Sequence, residues 1–275
     1  LAKKIDGILS LSADVPVTIA QLGLYLNINT ISLKTAKICS DKIKMKNFLK
    51  KNNVNVPWYS GVEDYKFLKN LTNNFDKLVL KPVDSRGARG VLLIDKNTDL
   101  NWAYRYSLSF SPKKKLIVEE FLEGTQISTE SIVYDNSVYT PCFVERNYRD
   151  IKKFLPHIIE NGGQQPSRLS NDKIKKIIDL KKKATLALGI KNSTSKGDMI
   201  LSGNNAYVIE IAPRLSGGWL STHQTYLGTG VNFLKTAFKL SLNQPLTKKD
   251  FEVKRNKAVV IRYFFSKPGK ILKIP

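Results

Sequence analysis

The chain has 275 residues, with 45 Lys+Arg against 23 Asp+Glu and a formal net charge of +22. A hydrophobic fraction of 42% with 9% aromatics excludes a disordered chain, and no apolar run approaches the ~18 residues of a membrane span. Two cysteines, Cys39 and Cys142, exclude a disulfide scaffold, suit a cytoplasmic setting and form no zinc-type cluster with His157 or His223.

In chain order, residues 7–10 read as a strand, 13–26 as a helix and 29–32 as a short strand, a piece of an alternating α/β layer. A helix follows over 41–51, capped by Ser40 or Asp41, with Met45, Phe48 and Leu49 as its apolar stripe. Beyond Pro57 short strands alternate with helices. The dense lysine run from Lys173 to Lys183 carries Ile174, Ile177, Ile178, Ala184 and Leu188 at helical spacing. That pattern predicts an amphipathic helix with its lysines on the solvated face. A last strand is expected over 258–265.

The net charge invites a nucleic-acid reading. However, 36 of the 45 basic residues are Lys and only 9 are Arg, and they are spread along the chain. Lys, Asn and Ile are all abundant and share A/T-rich codons, so composition alone accounts for the excess. No specific nucleic-acid partner and no membrane partner is expected.

Four stretches carry chemistry. In 78–94 an apolar strand ends at Lys81, a loop with Gly87 and Gly90 follows, and a second apolar strand resumes. Glycines allow backbone N–H groups to approach phosphate oxygens, and the lysine adds a point charge. A plain hairpin with a basic loop would read the same way. In 115–124 a buried-type strand runs into Glu119, Glu120, Phe121 and Leu122. This segment could present backbone to a base edge, or simply be a strand leaving the core.

In 197–214 two strands flank Gly203-Asn204-Asn205. If those three residues form the loop, Ser202 faces Ala206 and Asp198 falls opposite Glu210. Facing carboxylates repel unless a cation lies between them, and Mg²⁺ binds through one or two carboxylates plus phosphates. Two solvent-facing acids on an edge hairpin are the alternative. The fourth stretch, 214–223, joins Arg214 to the Gly217-Gly218 pair, where a guanidinium and free N–H groups suit an anion. It could equally be a loop entering a helix, with Ser216 as cap.

Taken in this order, the stretches resemble the ATP-grasp superfamily, in its carboxylate–amine ligase, biotin carboxylase and carbamoyl phosphate synthetase branch. The resemblance implies an α+β (α/β) fold of two ATP-grasp subdomains. Residues 1–38 resemble the end of a Rossmann-like preceding domain, and 39–110 the small subdomain with its glycine-loop lid. Residues 111–256 resemble the large subdomain, and 257–275 the start of a truncated C-terminal lobe, including Lys267-Pro268-Gly269. It implies ATP phosphates on Lys42, Lys81 and the Gly87/Gly90 loop, and adenine on Glu119, Glu120, Phe121 and Leu122. It also implies the ribose at Gln126, where many members carry an acid.

By the same resemblance Asp198 and Glu210 hold Mg²⁺, for which Mn²⁺ can substitute. Arg214 aligns a substrate carboxylate beside Gly217, Gly218 and Ser167, and His157 touches substrate or its phosphorylated form. Where many members have Asn two residues after the second acid, this chain has Ala212, so an amide ligand for a second ion is absent. The implied activity is an ADP-forming ligase that phosphorylates a small-molecule carboxylate and transfers the acyl group to an amine, working as a monomer or a homo-oligomer. Carboxyphosphate formation from bicarbonate and a degenerate nucleotide-binding module are the alternatives. Neither cysteine has a neighbouring base, so no covalent enzyme nucleophile is expected.

Overall fold

The computed structural model describes residues 4–266 and 269–273. Three helices open the chain: α1 (Pro16–Leu26), α2 (Leu33–Cys39) and α3 (Lys42–Lys51). Asp41 caps α3, its Oδ1 accepting from Lys44 N–H at 3.0 Å. Met45 and Leu49 are fully buried with Phe48 packed beside them, the apolar stripe read from the sequence. Complete burial of two such side chains contributes roughly 1.5–3 kcal/mol each.

The strands expected at 7–10 and 29–32 do not form. A strand needs a ladder for its backbone groups, and near the first of these segments Leu11 makes an isolated parallel bridge to Leu215. The second segment ends as a cap instead: Ser32 Oγ accepts from Thr35 N–H at 3.0 Å and starts α2.

Two antiparallel sheets follow. The smaller has four strands in the order β1-β4-β2-β3, from β1 (Tyr59–Val62), β2 (Leu78–Pro82), β3 (Leu92–Ile94) and β4 (Leu116–Glu120). Alternation sorts its residues. Leu78, Leu80, Leu116 and Val118 pack in one cluster with Leu68 of α4 (Tyr65–Thr72) and Ala103 of α5 (Leu100–Ser109). Lys81 and Glu119, at the alternate positions, meet on the other face.

The larger sheet has six strands in the order β10-β7-β6-β5-β8-β9: β5 (Thr125–Tyr134), β6 (Ser137–Arg146), β7 (Gly163–Gln165), β8 (Ser193–Ser202), β9 (Asn205–Ala212) and β10 (Val259–Ile261). Helix α6 (Asn171–Ala187) covers one face, where Ile177 and Ala184 join Ile127, Met199 and Ile211 in the main core. Helices α7 (Thr225–Thr229) and α8 (Phe233–Ser241) follow.

β4 hydrogen-bonds between β1 and β2, so the first sheet runs on past residue 110 to Glu120. β10 pairs with β7 and extends the large sheet. That strand is also shorter than 258–265, and Lys267-Pro268 lie outside the described residues.

Helix α6 corrects one detail of the charge reading. Lys181, inside the lysine run, is fully buried and donates to Thr185 Oγ1 at 2.8 Å and Ser195 Oγ at 2.6 Å. Among the described residues no helix is long and apolar enough to cross a membrane.

Candidate functional site

The β8–β9 hairpin aligns the two acids by a route the sequence did not foresee. Ser202 pairs with Asn205, so Gly203-Asn204 is a two-residue turn and Leu201, not Ser202, faces Ala206. Gly203 takes φ +57° there, as tight hairpin turns require. Continued unchanged, that register would set Asp198 against Ile209. A β-bulge between Asp198 and Met199 shifts it by one, and Asp198 pairs with Glu210 after all.

The same face carries Ser128 opposite Asp198, Glu130 opposite Lys196, and Lys196 opposite Ala212. Asp198 is heavily compensated: Oδ2 lies 2.5 Å from Lys196 Nζ, and Oδ1 accepts from Ser128 Oγ at 2.8 Å and lies 3.3 Å from Arg146 Nη1. Burial alone would raise the Asp198 pKa. The Lys196 and Arg146 cations outweigh burial and hold it well below the usual carboxylate range. Glu210 faces Lys42 Nζ at 3.9 Å.

Helix α3 joins the two sheets. Lys42 Nζ donates to Ser85 O at 3.0 Å, tying the start of the glycine loop to the helix that also faces Glu210. One turn later, fully buried Lys46 lies 3.3 Å from Glu119 Oε2, which Lys81 Nζ also reaches at 2.8 Å. Lys46 donates as well to Ile209 O, at 3.4 Å, the carbonyl of the bulge residue. Burial lowers the Lys46 pKa to about 8 despite Glu119, with Lys81 pushing the same way. Burial raises the Glu119 pKa, but the two lysines overcome this and its carboxyl stays below the ordinary range.

Glu119 therefore does not present itself to a base. Its backbone lies in the ladder between β1 and β2 and its carboxylate serves Lys81 and Lys46. Glu120 Oε1 accepts from Trp58 N–H at 2.7 Å, and Phe121 N–H donates to Lys77 O at 3.4 Å. Leu122 lies just beyond, between the two sheets, and half-buried Gln126 stands second in β5, opposite Ile200.

In the loop between β2 and β3, Gly87 has φ +60° and open space around it. Gly90 has φ +73°, and a Cβ there would meet Pro82 Cγ at 2.8 Å. Gly87 thus serves conformation, and Gly90 close approach.

Arg214 pairs with Asp14 at 3.1 Å and donates to Leu215 O at 3.0 Å, while its buried Nε has no partner among the described residues. The N-terminal segment thus supplies a carboxylate to the guanidinium that the sequence assigned to substrate. Cβ atoms on Gly217 and Gly218 would meet Ser12 Cβ at 3.0 Å and the Tyr263 hydroxyl at 2.8 Å, so these glycines admit neighbouring segments. Ser216 does not cap the turn that follows. Trp219, at φ 66°, leads instead into a π-helical turn over Leu220–Gln224.

His157 and Ser167 each make contacts within the fold. The His157 ring stands edge-on to Tyr106 and Trp102, with centroids at 5.4 and 6.1 Å, and its backbone bridges Leu92. It docks the loop after β6 onto the small subdomain. Ser167 Oγ donates to Glu145 Oε2 at 3.2 Å, bracing the turn after β7.

The residues that sequence reasoning missed are Lys46, Arg146, Lys196 and Asp14. Lys196 had a signal, since residues two apart on a strand share a face with Asp198. Lys46 had one in lying a turn from Lys42. Arg146 and Asp14 reach the site only through the fold.

The ATP-grasp domain family matches residues 39–218, the span that contains both sheets' site residues. The chain belongs to this family. A phosphoribosylamine–glycine ligase of Methanococcoides burtonii is 26% identical over 191 residues, covering 65% of this chain and 44% of that protein. An L-amino acid ligase structure from Bacillus licheniformis superposes with a TM-score of 0.78 at 22% identity, over 92% of this chain and 60% of that one. The biotin carboxylase domain of Hydrogenobacter thermophilus 2-oxoglutarate carboxylase, a dimer in complex with MgADP, ADP and bicarbonate, gives a TM-score of 0.72 at 18% identity, over 88% and 54%. The chain thus spans less than two thirds of the length of these relatives.

Hard divalent ions take oxygen ligands. Two facing carboxylates supply them, but among the described residues no three His, Cys, Asp or Glu side chains converge as a metal cluster. Asp198 is already occupied by two cations. The donor set fits one divalent ion shared with phosphates. The thiols take no part: burial pushes both Cys39 and Cys142 up to about 12.

Proposed function

We propose that this ATP-grasp chain is the nucleotide-binding core of an ADP-forming ligase, acting on a small-molecule carboxylate and an amine. The observation that carries this reading is the chain of contacts from Ser85 through Lys42 to Glu210 and on to facing Asp198, with Lys81 held by Glu119 alongside. In this reading the glycine loop cradles phosphate with the two lysines and the two acids beside it. The names of the M. burtonii and B. licheniformis proteins, both ligases, support it.

In this reading Lys42 and Lys81 neutralise the triphosphate, and the Gly87/Gly90 loop supplies N–H groups and covers it. Leu122 and Phe121 wall the base, and Gln126 hydrogen-bonds the ribose. Mg²⁺, held by Glu210 with Asp198 beside it, would supply neutralisation of charge on the terminal phosphates. Arg214 exchanges Asp14 for the substrate carboxylate, its unpartnered Nε being the donor left over, and Gly217-Gly218 lie next to it. A carboxylate oxygen attacks the γ-phosphorus and ADP leaves; the amine then attacks the acyl phosphate and phosphate leaves. A cytoplasmic setting and small-molecule partners follow from this chemistry.

Carboxylate-dependent ADP release, with hydroxylamine trapping the acyl phosphate as a hydroxamate, tests the assignment on the full chain. Glu210→Ala should abolish both signals. A second reading, a nucleotide-binding module without turnover, is favoured by the prior neutralisation of Asp198. It predicts ATP binding with no carboxylate-dependent ADP across a panel of acids.

A further inference from the structure

Lys196 and Asp198 are alternate residues of β8, so their side chains share a face. Across the strand pair Lys196 stands opposite Ala212 and Asp198 opposite Glu210. The resemblance leads one to expect an Asn at residue 212, its amide oxygen a ligand for a second ion; a methyl group offers no ligand. In the same patch Lys196 Nζ lies 2.5 Å from Asp198 Oδ2 and Arg146 Nη1 lies 3.3 Å from Oδ1, and Arg146 is in turn paired with Glu160. The Lys196 and Asp198 side chains are only 17% and 15% exposed, so water screens this pair weakly.

We propose, resting on the ATP-binding function above, that the Lys196 ammonium takes the place of a second divalent ion, so that one ion binds per nucleotide, through Glu210. Mg²⁺ requires oxygens at roughly 2.0–2.1 Å in octahedral array. An ammonium already bonded to Asp198 Oδ2 occupies the space such an ion needs and repels it. Lys196 takes over charge neutralisation alone, because an ammonium donates hydrogen bonds but accepts no ligand.

The test is a count of bound ions. The full chain is saturated with Mn²⁺ and a non-hydrolysable ATP analogue and freed of excess by gel filtration. Manganese and nucleotide are then measured by elemental analysis, and the spin state by electron paramagnetic resonance. The expected result is one Mn²⁺ per analogue with an uncoupled six-line spectrum. Lys196→Met combined with Ala212→Asn should bind two, with the broadened signal of a coupled pair. Lys196→Arg, which keeps the charge, and Ala212→Asn alone, which keeps the lysine, should each stay at one. Two coupled ions in the native chain, or one in a folded Lys196→Met/Ala212→Asn chain, would overturn the proposal while leaving the ATP assignment standing. Nucleotide bound without manganese, or no nucleotide at all, would overturn the ATP–metal assignment itself.

Discussion

At the scale of single residues, the centre of the molecule is a three-way charge contact rather than an ion pair. Glu119 Oε2 meets both Lys46 and Lys81, and its other oxygen is buried without a partner among the described residues. Two cations to one anion leave this point with a surplus positive charge, which a triphosphate would balance. Removing one partner of a buried pair strands the other, at a cost of about 3–5 kcal/mol. Glu119→Gln should therefore lower stability by roughly that amount, read as a lower urea midpoint. ATP should then raise the melting temperature of the variant by more than that of the native chain, since it supplies the missing anion. An equal or smaller ATP shift in the variant would show that the triphosphate does not sit against these lysines.

The elements show why some of this was legible and some not. Helix α3 was readable because its cap and stripe are local: Asp41 precedes the first turn, and Met45, Phe48 and Leu49 recur at helical spacing. The facing of Asp198 and Glu210 was also readable, although by compensation, since a turn one residue shorter than expected is offset by a one-residue bulge. The burial of particular lysines was not readable. In a chain with 36 of them, the two that are fully buried among the described residues, Lys46 and Lys181, carry the same local pattern as their exposed neighbours. What distinguishes Lys181 lies across the helix–sheet contact, where Gly197 leaves room for it. A Cβ on Gly197 would come within 2.4 Å of Lys181 Cε and 2.8 Å of Thr129 Oγ1. Gly197→Ala should thus cost about 1–3 kcal/mol of stability through overpacking. Lys181→Ala in the same chain should recover part of that loss, so the double-mutant cycle should give a coupling of about 0.5–2 kcal/mol. Strict additivity would mean that the contact is absent.

For the whole molecule, the +22 charge and the buried lysine act on stability with the same sign. Burial lowers the Lys181 pKa to about 7, from 10.5 in an exposed lysine. Between these values the unfolded chain binds a proton that the native chain does not. Unfolding free energy must then rise with pH across that window. Below about pH 7 both forms are protonated and the full penalty of burying the charge is present; above about 10.5 it has vanished. Global self-repulsion adds to the slope, because raising the pH also discharges surface lysines and so relieves the compact state. Salt separates the two contributions: exposed charges are screened over about 10 Å at 0.1 M, a buried amine far less. The urea midpoint of the native chain should therefore increase from pH 7 to pH 9 at low salt and keep part of that increase at 0.5 M NaCl. Lys181→Met, which fills the same space without a titrating group, should lose most of the salt-resistant part between pH 7 and 8, leaving the share of buried Lys46, whose pKa is lowered to about 8, and be the more stable protein at pH 7. A midpoint that stays level with pH in the native chain at high salt, or the same slope in both proteins, would mean that the Lys181 amine keeps its proton inside the fold. The hydroxyls of Thr185 and Ser195 would then be solvating a charge rather than a neutral amine.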